Sequence, residues 1–505
     1  MLPAVSLGPL RKSETAYVIG VTALAFVVRL LFNVPVYKYT NDADVLLTGI
    51  GALRILDGDV RVFIAGARQG AVECYLAAIP IVLFGASRLT HALWHVLLGT
   101  ASIPVSWHFF RRAVSPKAAR VALLLMALPT PFAMTSSVTP TYSIILPICL
   151  VIMWLTLRAD EHPESRATWA ALAFFCGIGI WTSLLTTACS VPAWIWLGWR
   201  HRGSLGRVLP VAVLGGAVGA LPWIAFNVRY PLASFRVNYA TQPVSGIAEF
   251  LSNERLLITG AWPQLFGEPA AAPAFVIPPL VAAEHVLVAA GALYYFGSLL
   301  WKRHRSAAGW FLLGMVVFNA LLYGVSAAGT QTQTLTSRFI LPLLPVMAAA
   351  VGSFIVEAGG RVRGMIPVLV AILLIAHVAA LPLPGLSAKR REFTQFANDD
   401  AIVAERLTRS GVTVVVGNYW TVYPFEFLTR ERVHGIPCIE VEDYYRVRDL
   451  VPRGHVRWVF ARRPAAAVDD QNPQFPAGMI ERVGSYVLFH PAEASSLESA
   501  LRLCR

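Results

Sequence analysis

Long apolar stretches recur along the chain at the length a bilayer demands, separated by short polar ones. A helix rising 1.5 Å per residue needs about 20 apolar residues to cross the hydrocarbon core. Stretches near that length fall at 15–34, 89–110, 119–137, 140–157, 168–184, 186–199, 208–228, 274–300, 308–326, 339–357 and 364–384, the fifth and sixth being the shortest. The pattern predicts a polytopic α-helical membrane protein with about eleven transmembrane helices.

Two parts break the pattern. After the first apolar stretch, residues 35–88 are too long and too structured for a simple reversal of direction. Leu46, Ile50, Leu53 and Leu56 recur at helical spacing opposite Thr48, Gly51 and Arg54, which predicts an amphipathic helix lying in the membrane interface. Asp42 and Asp44 stand at its start and Asp57-Gly58 at its end. A second short helix, 71–84, carries Glu73 in its first turn. From 386 onward charged residues return, with a helical pattern at 399–409 and strand patterns at 412–416, 433–441, 455–460 and 486–490. The expected organisation is therefore a membrane region, 1–385, that includes outer loops 35–88 and 229–273. A small extracytoplasmic α/β region, 386–505, follows it.

Composition agrees. Of 505 residues 56% are hydrophobic and 14% charged, well below the charged share of soluble domains. The net charge of +13 is not a nucleic-acid signature, because the basic residues sit in short runs at the ends of apolar stretches: Arg11-Lys12, Arg111-Arg112, Arg200 to Arg207 and Lys302 to Arg305. Such runs stay cytoplasmic. This places the N-terminus inside and residues 35–88, 229–273 and 386–505 outside, in the cytoplasmic (inner) membrane of a cell with a periplasm. The first apolar stretch lacks a cleavage site and reads as a retained anchor. Four of the six cysteines lie in or beside apolar stretches; Cys438 and Cys504 lie in the outer C-terminal region, where an oxidising compartment permits pairing.

The candidate chemistry concentrates in the first outer loop. Five acids (Asp42, Asp44, Asp57, Asp59, Glu73) and three arginines (Arg54, Arg61, Arg68) sit between its short helices. Outside the membrane no nucleotide-sugar pool exists, so group transfer there draws on lipid-linked donors, whose phosphate is already a good leaving group. The protein must then supply a carboxylate that takes the acceptor's proton. Asp42 is the candidate base, with helix N-capping as its alternative role. Three roles fit Glu73: pairing with Arg68, holding a metal, or hydrogen-bonding an acceptor. Asp57 and Asp59 fit a turn. For a lipid phosphate, Arg338 at the start of a span offers a bidentate fork, with Arg68, Arg61 and Arg88 on the same side. Arg29 could approach the same place. His91 and His95, four apart, lack a third ligand at metal spacing and fit a polar contact between helices. No metal site is expected from these spacings, although loop acids could serve with a divalent cation.

These residues carry a resemblance. Asn41-Asp42-Ala43 is similar to the Asp motif that follows the first span in GT-C glycosyltransferases of the protein O-mannosyltransferase and aminoarabinose-transferase type. Gly66 to Glu73, followed by Leu83-Phe84-Gly85-Ala86-Ser87, resembles their second motif. Arg338-Phe339-Ile340-Leu341-Pro342-Leu343-Leu344-Pro345 resembles a later one. Asn227 with Pro231 to Phe235, and Tyr419 to Tyr423, extend the likeness along most of the chain. The chain departs from the pattern at Ala43, with Asp44 one place later, and at Ala67 and Arg68. The resemblance implies a polyprenyl-phosphate-linked sugar donor, an envelope acceptor (lipid, glycan or protein), inversion at the anomeric carbon, and Asp42 as the acid of the motif. The readings outside this class are a lipid or solute transporter and a non-catalytic assembly partner. Charges concentrated outside the spans, without inverted halves, weigh against the transporter.

Overall fold

The computed structural model describes residues 12–37, 43–64, 69–128, 142–236, 244, 246–265, 278–301, 307–326, 336–359, 364–380, 385–438, 458–462 and 478–491. The chain forms two compact units: Met1–Phe32 with His95–Pro384, and Asn33–Trp94 with Gly385–Arg505.

The first unit is helical. Its longer described helices are α1 (Lys12–Tyr37, whose end passes into the second unit), α4 (Arg88–Ala113, which begins in the second unit), α5 (Pro116–Ala127), α6 (Tyr142–Glu161), α7 (Arg166–Thr182), α8 (Thr187–Arg200), α9 (Leu205–Gly219), α10 (Leu221–Arg229), α11 (Ile247–Leu256), α12 (Pro278–Trp301), α13 (Ala307–Gly324), α14 (Leu344–Gly359) and α15 (Met365–Ala380). Every apolar stretch of the sequence overlaps one of them. Among the described residues four helical segments are long and apolar enough to cross a membrane: Lys12–Leu31, Tyr142–Glu161, Ala307–Gly324 and Phe339–Gly359. The α9–α10 pair meets the same test when taken together, bent by 70° as a broken span or a re-entrant loop is. Pro222 stands at the start of α10, where its missing N–H costs least, so the break falls where the sequence tolerates it.

Helix contact in this unit rests on small residues. Gly215 and Gly219, four apart on α9, lie against the backbone of α7: an added Cβ would come within 2.4 Å of the Ala170 carbonyl oxygen and 2.2 Å of that of Phe174. This is the close backbone approach of small residues spaced four apart. Buried polar groups join the helices elsewhere. Arg29, fully enclosed on α1, donates to the carbonyls of Met126 (3.2 Å) and Ala127 (3.2 Å) at the end of α5. A helix end leaves such carbonyls without helical partners, and a cation there also suits the dipole. His95 hydrogen-bonds Ser143 (3.0 Å), and Asn319 donates to the Ala188 carbonyl (3.1 Å). Pairs such as Arg112–Glu161 (3.2 Å) and Arg200–Asp160 (2.5 Å) tie basic runs to neighbouring acids.

The second unit joins two distant parts of the chain. From the first outer loop come α2 (Ala43–Leu56), the short strands β1 (Phe63–Ile64) and β2 (Gln69–Gly70), and α3 (Val72–Phe84). From the far end come α16 (Gly385–Arg409), β3 (Val414–Gly417), α17 (Tyr419–Leu428), β4 (His434–Pro437), β5 (Trp458–Arg462), β6 (Gly478–Val483) and β7 (Tyr486–Pro491). The sheet runs β4-β3-β5-β7-β6, with β4, β3 and β5 parallel and β5, β7 and β6 antiparallel. The fully buried run Val414 to Gly417 reads as a two-sided core strand, as its parallel neighbours require. Gly417 to Phe427 is the end of β3 and most of the helix α17.

One apolar core serves both parts. Leu46, Leu47 and Ile50 of α2, with Ala71 and Cys74, are buried with Val415, Val422, Phe425, Val459, Tyr486 and Leu488. Gly49 lets α2 approach α17 closely, since a Cβ there would lie 2.6 Å from the Phe427 ring. The α2 face expected to be polar is buried as well: Thr48 is 1% and Arg54 4% exposed. Packing on α3 and α17 accounts for the burial of both faces. Cys438 is disulfide-bonded, while Cys74, Cys149, Cys176 and Cys189 are free thiols; Cys504 lies outside the described residues.

Gly219→Leu is expected to lower the thermal midpoint of the detergent-solubilised protein by the equivalent of about 1–3 kcal/mol or more, because α7 and α9 must separate. Gly206→Ala, which meets nothing within 4 Å, should leave it unchanged within error.

Candidate active site

α2 starts at Ala43, directly after the Asn41-Asp42 motif. Its sequence has no proline and places Leu46, Leu47 and Ile50 where the core of the second unit lies. It stops at Gly58, whose φ of +93° is the left-handed geometry glycine adopts freely. There the Asp57, Gly58 and Asp59 amides donate to the carbonyls of Leu53 (3.0 Å), Ile55 (3.1 Å) and Arg54 (2.9 Å). Asp57 and Asp59 thus stand in the turn. Asp59 also accepts from Arg61 at 2.6 Å in a partly exposed pair of the kind that contributes little stability.

The strands β1 and β2 pair antiparallel, Phe63 with Gly70 and Ile64 with Gln69, and the Ala71 amide donates to the Val62 carbonyl at 2.9 Å. This ladder draws together the two ends of residues 65–68 and leads the second motif into α3. Glu73, in the first turn of α3, is 2% exposed. A carboxylate at a helix N-terminus meets the positive end of the dipole. Beside it, burial pushes the Cys74 thiol well up, and the charge of Glu73 adds to the effect, so Cys74 is a packing residue rather than a nucleophile. The Tyr75 hydroxyl donates to the Arg61 carbonyl at 3.0 Å, fixing the loop on α3.

Of the arginines proposed for phosphate, Arg61 is held by Asp59. Arg88 opens α4, buried, 2.7 Å from Asp400, whose other oxygen accepts from the Tyr486 hydroxyl. An anion reaching Arg88 would have to displace a buried carboxylate. Arg338 lies in the 3-10 turn Thr336–Leu343 that leads into α14, and its side chain lies outside the described residues. So do Asp42, Arg68 and the side chain of Asp44 in the first turn of α2. The structure brings Glu73, Arg61, Arg88 and the start of α2 into one unit; Arg338 belongs to the other. Among the described residues no three His, Cys, Asp or Glu side chains are grouped to hold a metal ion.

The residues that spacing could not reveal surround Arg54. Its guanidinium forms ion pairs with Glu426 and Glu431, across 372 residues of sequence in the first case. Glu426 is fully buried, its second oxygen accepting from the Gly435 amide at 3.2 Å, with His434 Nδ1 3.9 Å from the first. Burial pushes the Glu431 carboxyl up, Arg54 opposes the shift, and the charge of Glu426 adds to it. The one available signal was Glu426 itself, an acid inside the aromatic run Tyr423-Pro424-Phe425-Glu426-Phe427.

With this geometry in hand, comparison with known proteins identifies the fold. It is shared with ArnT from Cupriavidus metallidurans bound to undecaprenyl phosphate, with a TM-score of 0.61, 13% identity, and coverage of 95% of this chain and 99% of that one. ArnT from the same organism in the apo state gives a TM-score of 0.58 at 14% identity, covering 95% of this chain and 98% of that one. Residues 69–228 match the family model described as dolichyl-phosphate-mannose-protein mannosyltransferase. The chain is similar to undecaprenyl phosphate-alpha-4-amino-4-deoxy-L-arabinose arabinosyl transferase 2 of Pseudomonas fluorescens, 25% identical over 234 residues. That match covers 45% of this chain and spans 36% of the relative's length.

Two outcomes are expected at the Arg54 cluster. Arg54→Met leaves two carboxylates without their cation and should cost about 3–5 kcal/mol in chemical denaturation. The raised Glu431 carboxyl favours the folded state when protonated. Its contribution is therefore complete below the ordinary value of 4.5 and is lost as pH rises from there through the shifted value. Glu431→Gln should remove that part of the decline, read as a shallower fall of thermal midpoint with pH than in the wild type.

Proposed function

We propose that the chain is an integral membrane glycosyltransferase that moves a sugar from a polyprenyl-phosphate-linked donor to an envelope acceptor on the outer side of the cytoplasmic membrane. The observation that carries this reading is the shared fold along nearly the whole chain with a protein whose structure holds undecaprenyl phosphate. The aminoarabinose-transferase relative and the mannosyltransferase family model both name lipid-phosphate sugars, which supports the same donor class.

The reaction is a single displacement. An acceptor hydroxyl or amine attacks the anomeric carbon while the bond to the phosphate oxygen breaks and polyprenyl phosphate leaves with the electron pair. The acceptor's proton passes to Asp42, and the new glycosidic bond has inverted configuration. A base within hydrogen-bond reach contributes roughly 10²–10⁴-fold to such a step. Glu73, buried at the start of α3, orients the acceptor, with Asp44 beside the base in sequence. Arg338 takes the donor phosphate with its bidentate fork, supported by Arg68. Arg61 lies in an exposed pair that a phosphate can exchange for Asp59, whereas Arg88 is the weaker candidate because its partner is buried. The N-terminus lies in the cytoplasm and residues 386–505 in the periplasm.

The test uses membranes holding the wild type or Asp42→Asn, each given labelled polyprenyl-phosphate sugars and native envelope acceptors. Wild type should release label into a larger product, and Asp42→Asn should do so at least about 100-fold more slowly. Arg338→Ala should raise KM for the donor about tenfold or more. Movement of labelled lipid across the membrane with no transfer would replace this reading with the transporter one.

A further inference from the structure

We infer that Arg54 is a positioning residue for the proposed reaction: through Glu426 and Glu431 it fixes the placement of α2, which directly follows the Asn41-Asp42 motif in the sequence. The inference rests on the assignment of Asp42 as the base. The apolar contacts of α2 are close ones: a Cβ at Gly49 would lie 2.6 Å from the Phe427 ring and one at Gly51 2.5 Å from the Cys74 sulfur. A guanidinium held by two carboxylates is directional in a way these contacts are not. As a source of stability alone the cluster would be a poor choice. The desolvation of a buried ion pair largely offsets its attraction, and well-packed apolar residues serve as well.

Two features show that the chain holds this arrangement at a cost. Arg430 and Glu431 both have left-handed backbones, with φ of +52° and +62°, at the end of α17 where glycine is the usual residue. The Arg430 amide closes on the Phe427 carbonyl (3.1 Å) and that of Glu431 on the Glu426 carbonyl (2.9 Å). Backbone strain kept in place of an available glycine points from the outlier to a role for its side chain, and that side chain is on Arg54. Glu426 is in turn tied to β4 through the Gly435 amide. The path from sheet to α2 is therefore hydrogen-bonded throughout.

Leverage makes the placement matter. Ala43 and Arg54 are separated by about 16 Å of helix, so a tilt of about 10° at the latch moves the other end by about 3 Å. Misplacement of a reacting group by about 1 Å is enough to cost roughly 100-fold in rate.

The experiment uses the full-length protein in nanodiscs, with initial rates measured against donor concentration. The triple variant Arg54→Met, Glu426→Gln, Glu431→Gly removes the charges together, keeps an acceptor for Gly435 and relieves the left-handed strain, so it should retain most of the thermal midpoint. Its kcat should fall at least about tenfold, with the donor KM within about twofold. Glu431→Gly alone should hold or raise the thermal midpoint while lowering kcat. Arg54→Lys should restore part of the rate lost in Arg54→Met. Spin labels introduced by Leu56→Cys and Met479→Cys, both exposed positions of the second unit, should give a broadened distance distribution in the triple variant. A folded triple variant with wild-type kcat, or with an unchanged distance distribution, overturns the inference. A kcat loss that follows the thermal midpoint across the variants, and is absent from Glu431→Gly, reduces Arg54 to a structural residue and also overturns it. Wild-type protein that transfers no sugar refutes the reaction instead, a result distinct from a transferring wild type with equally active latch variants.

Discussion

The burial of α2 in the core of the C-terminal sheet is the contact on which the second unit depends. α2 has too few apolar residues to span a bilayer and too many to stay in water. It satisfies both limits by giving Leu46, Leu47 and Ile50 to a core that also holds Val415, Phe425 and Leu488. Its length, its glycines and its single arginine follow from that placement. Gly49 and Gly51 admit neighbours closely, and Arg54 enters the apolar surroundings only because two carboxylates await it. The turn at Asp57 to Asp59 then follows directly from the end of this clamped helix.

The helical unit solves a different problem with similar means. In lipid the apolar effect does not favour helix against helix, so close contact depends on shape and on satisfied polar groups. Gly215 and Gly219 supply the shape. Arg29, His95 and Asn319 supply the polar contacts, each placing its side chain on a backbone carbonyl or hydroxyl of another helix. Arg29, which in the sequence could be imagined near a phosphate, is spent on the end of α5.

How much of this is legible in the sequence depends on the range of the forces concerned. Apolar length and charge runs are local signals, and every apolar stretch they mark overlaps a helix. The bend between α9 and α10 falls at Pro222 in a run that stays apolar on both sides, so length and composition do not reveal it. In the C-terminal region the β-branched runs locate strands β3, β5 and β7, whereas Gly478–Val483, with its charges and exposed Met479 and Ile480, has no alternation to mark it as β6. The burial of the second face of α2 is hidden from the sequence for a physical reason. Thr48 and Arg54 look solvated by type, and only partners hundreds of residues away make their burial tolerable. In the candidate site, Glu73 could be located by its position at a helix start. The commitment of Arg88 to Asp400 could not, since an ion pair between distant segments leaves no spacing to read.

That distance also orders events in time. The partners Arg54 and Glu426 are separated by 372 residues, so at 5–20 residues per second a nascent chain makes one roughly 20 to 75 s before the other. For that interval α2 exists without its core and Arg54 without its carboxylates, on a protein whose helices are still being inserted. α2 thus reaches its final packing only after the strands that share its core have been made, so assembly itself imposes an order on this unit.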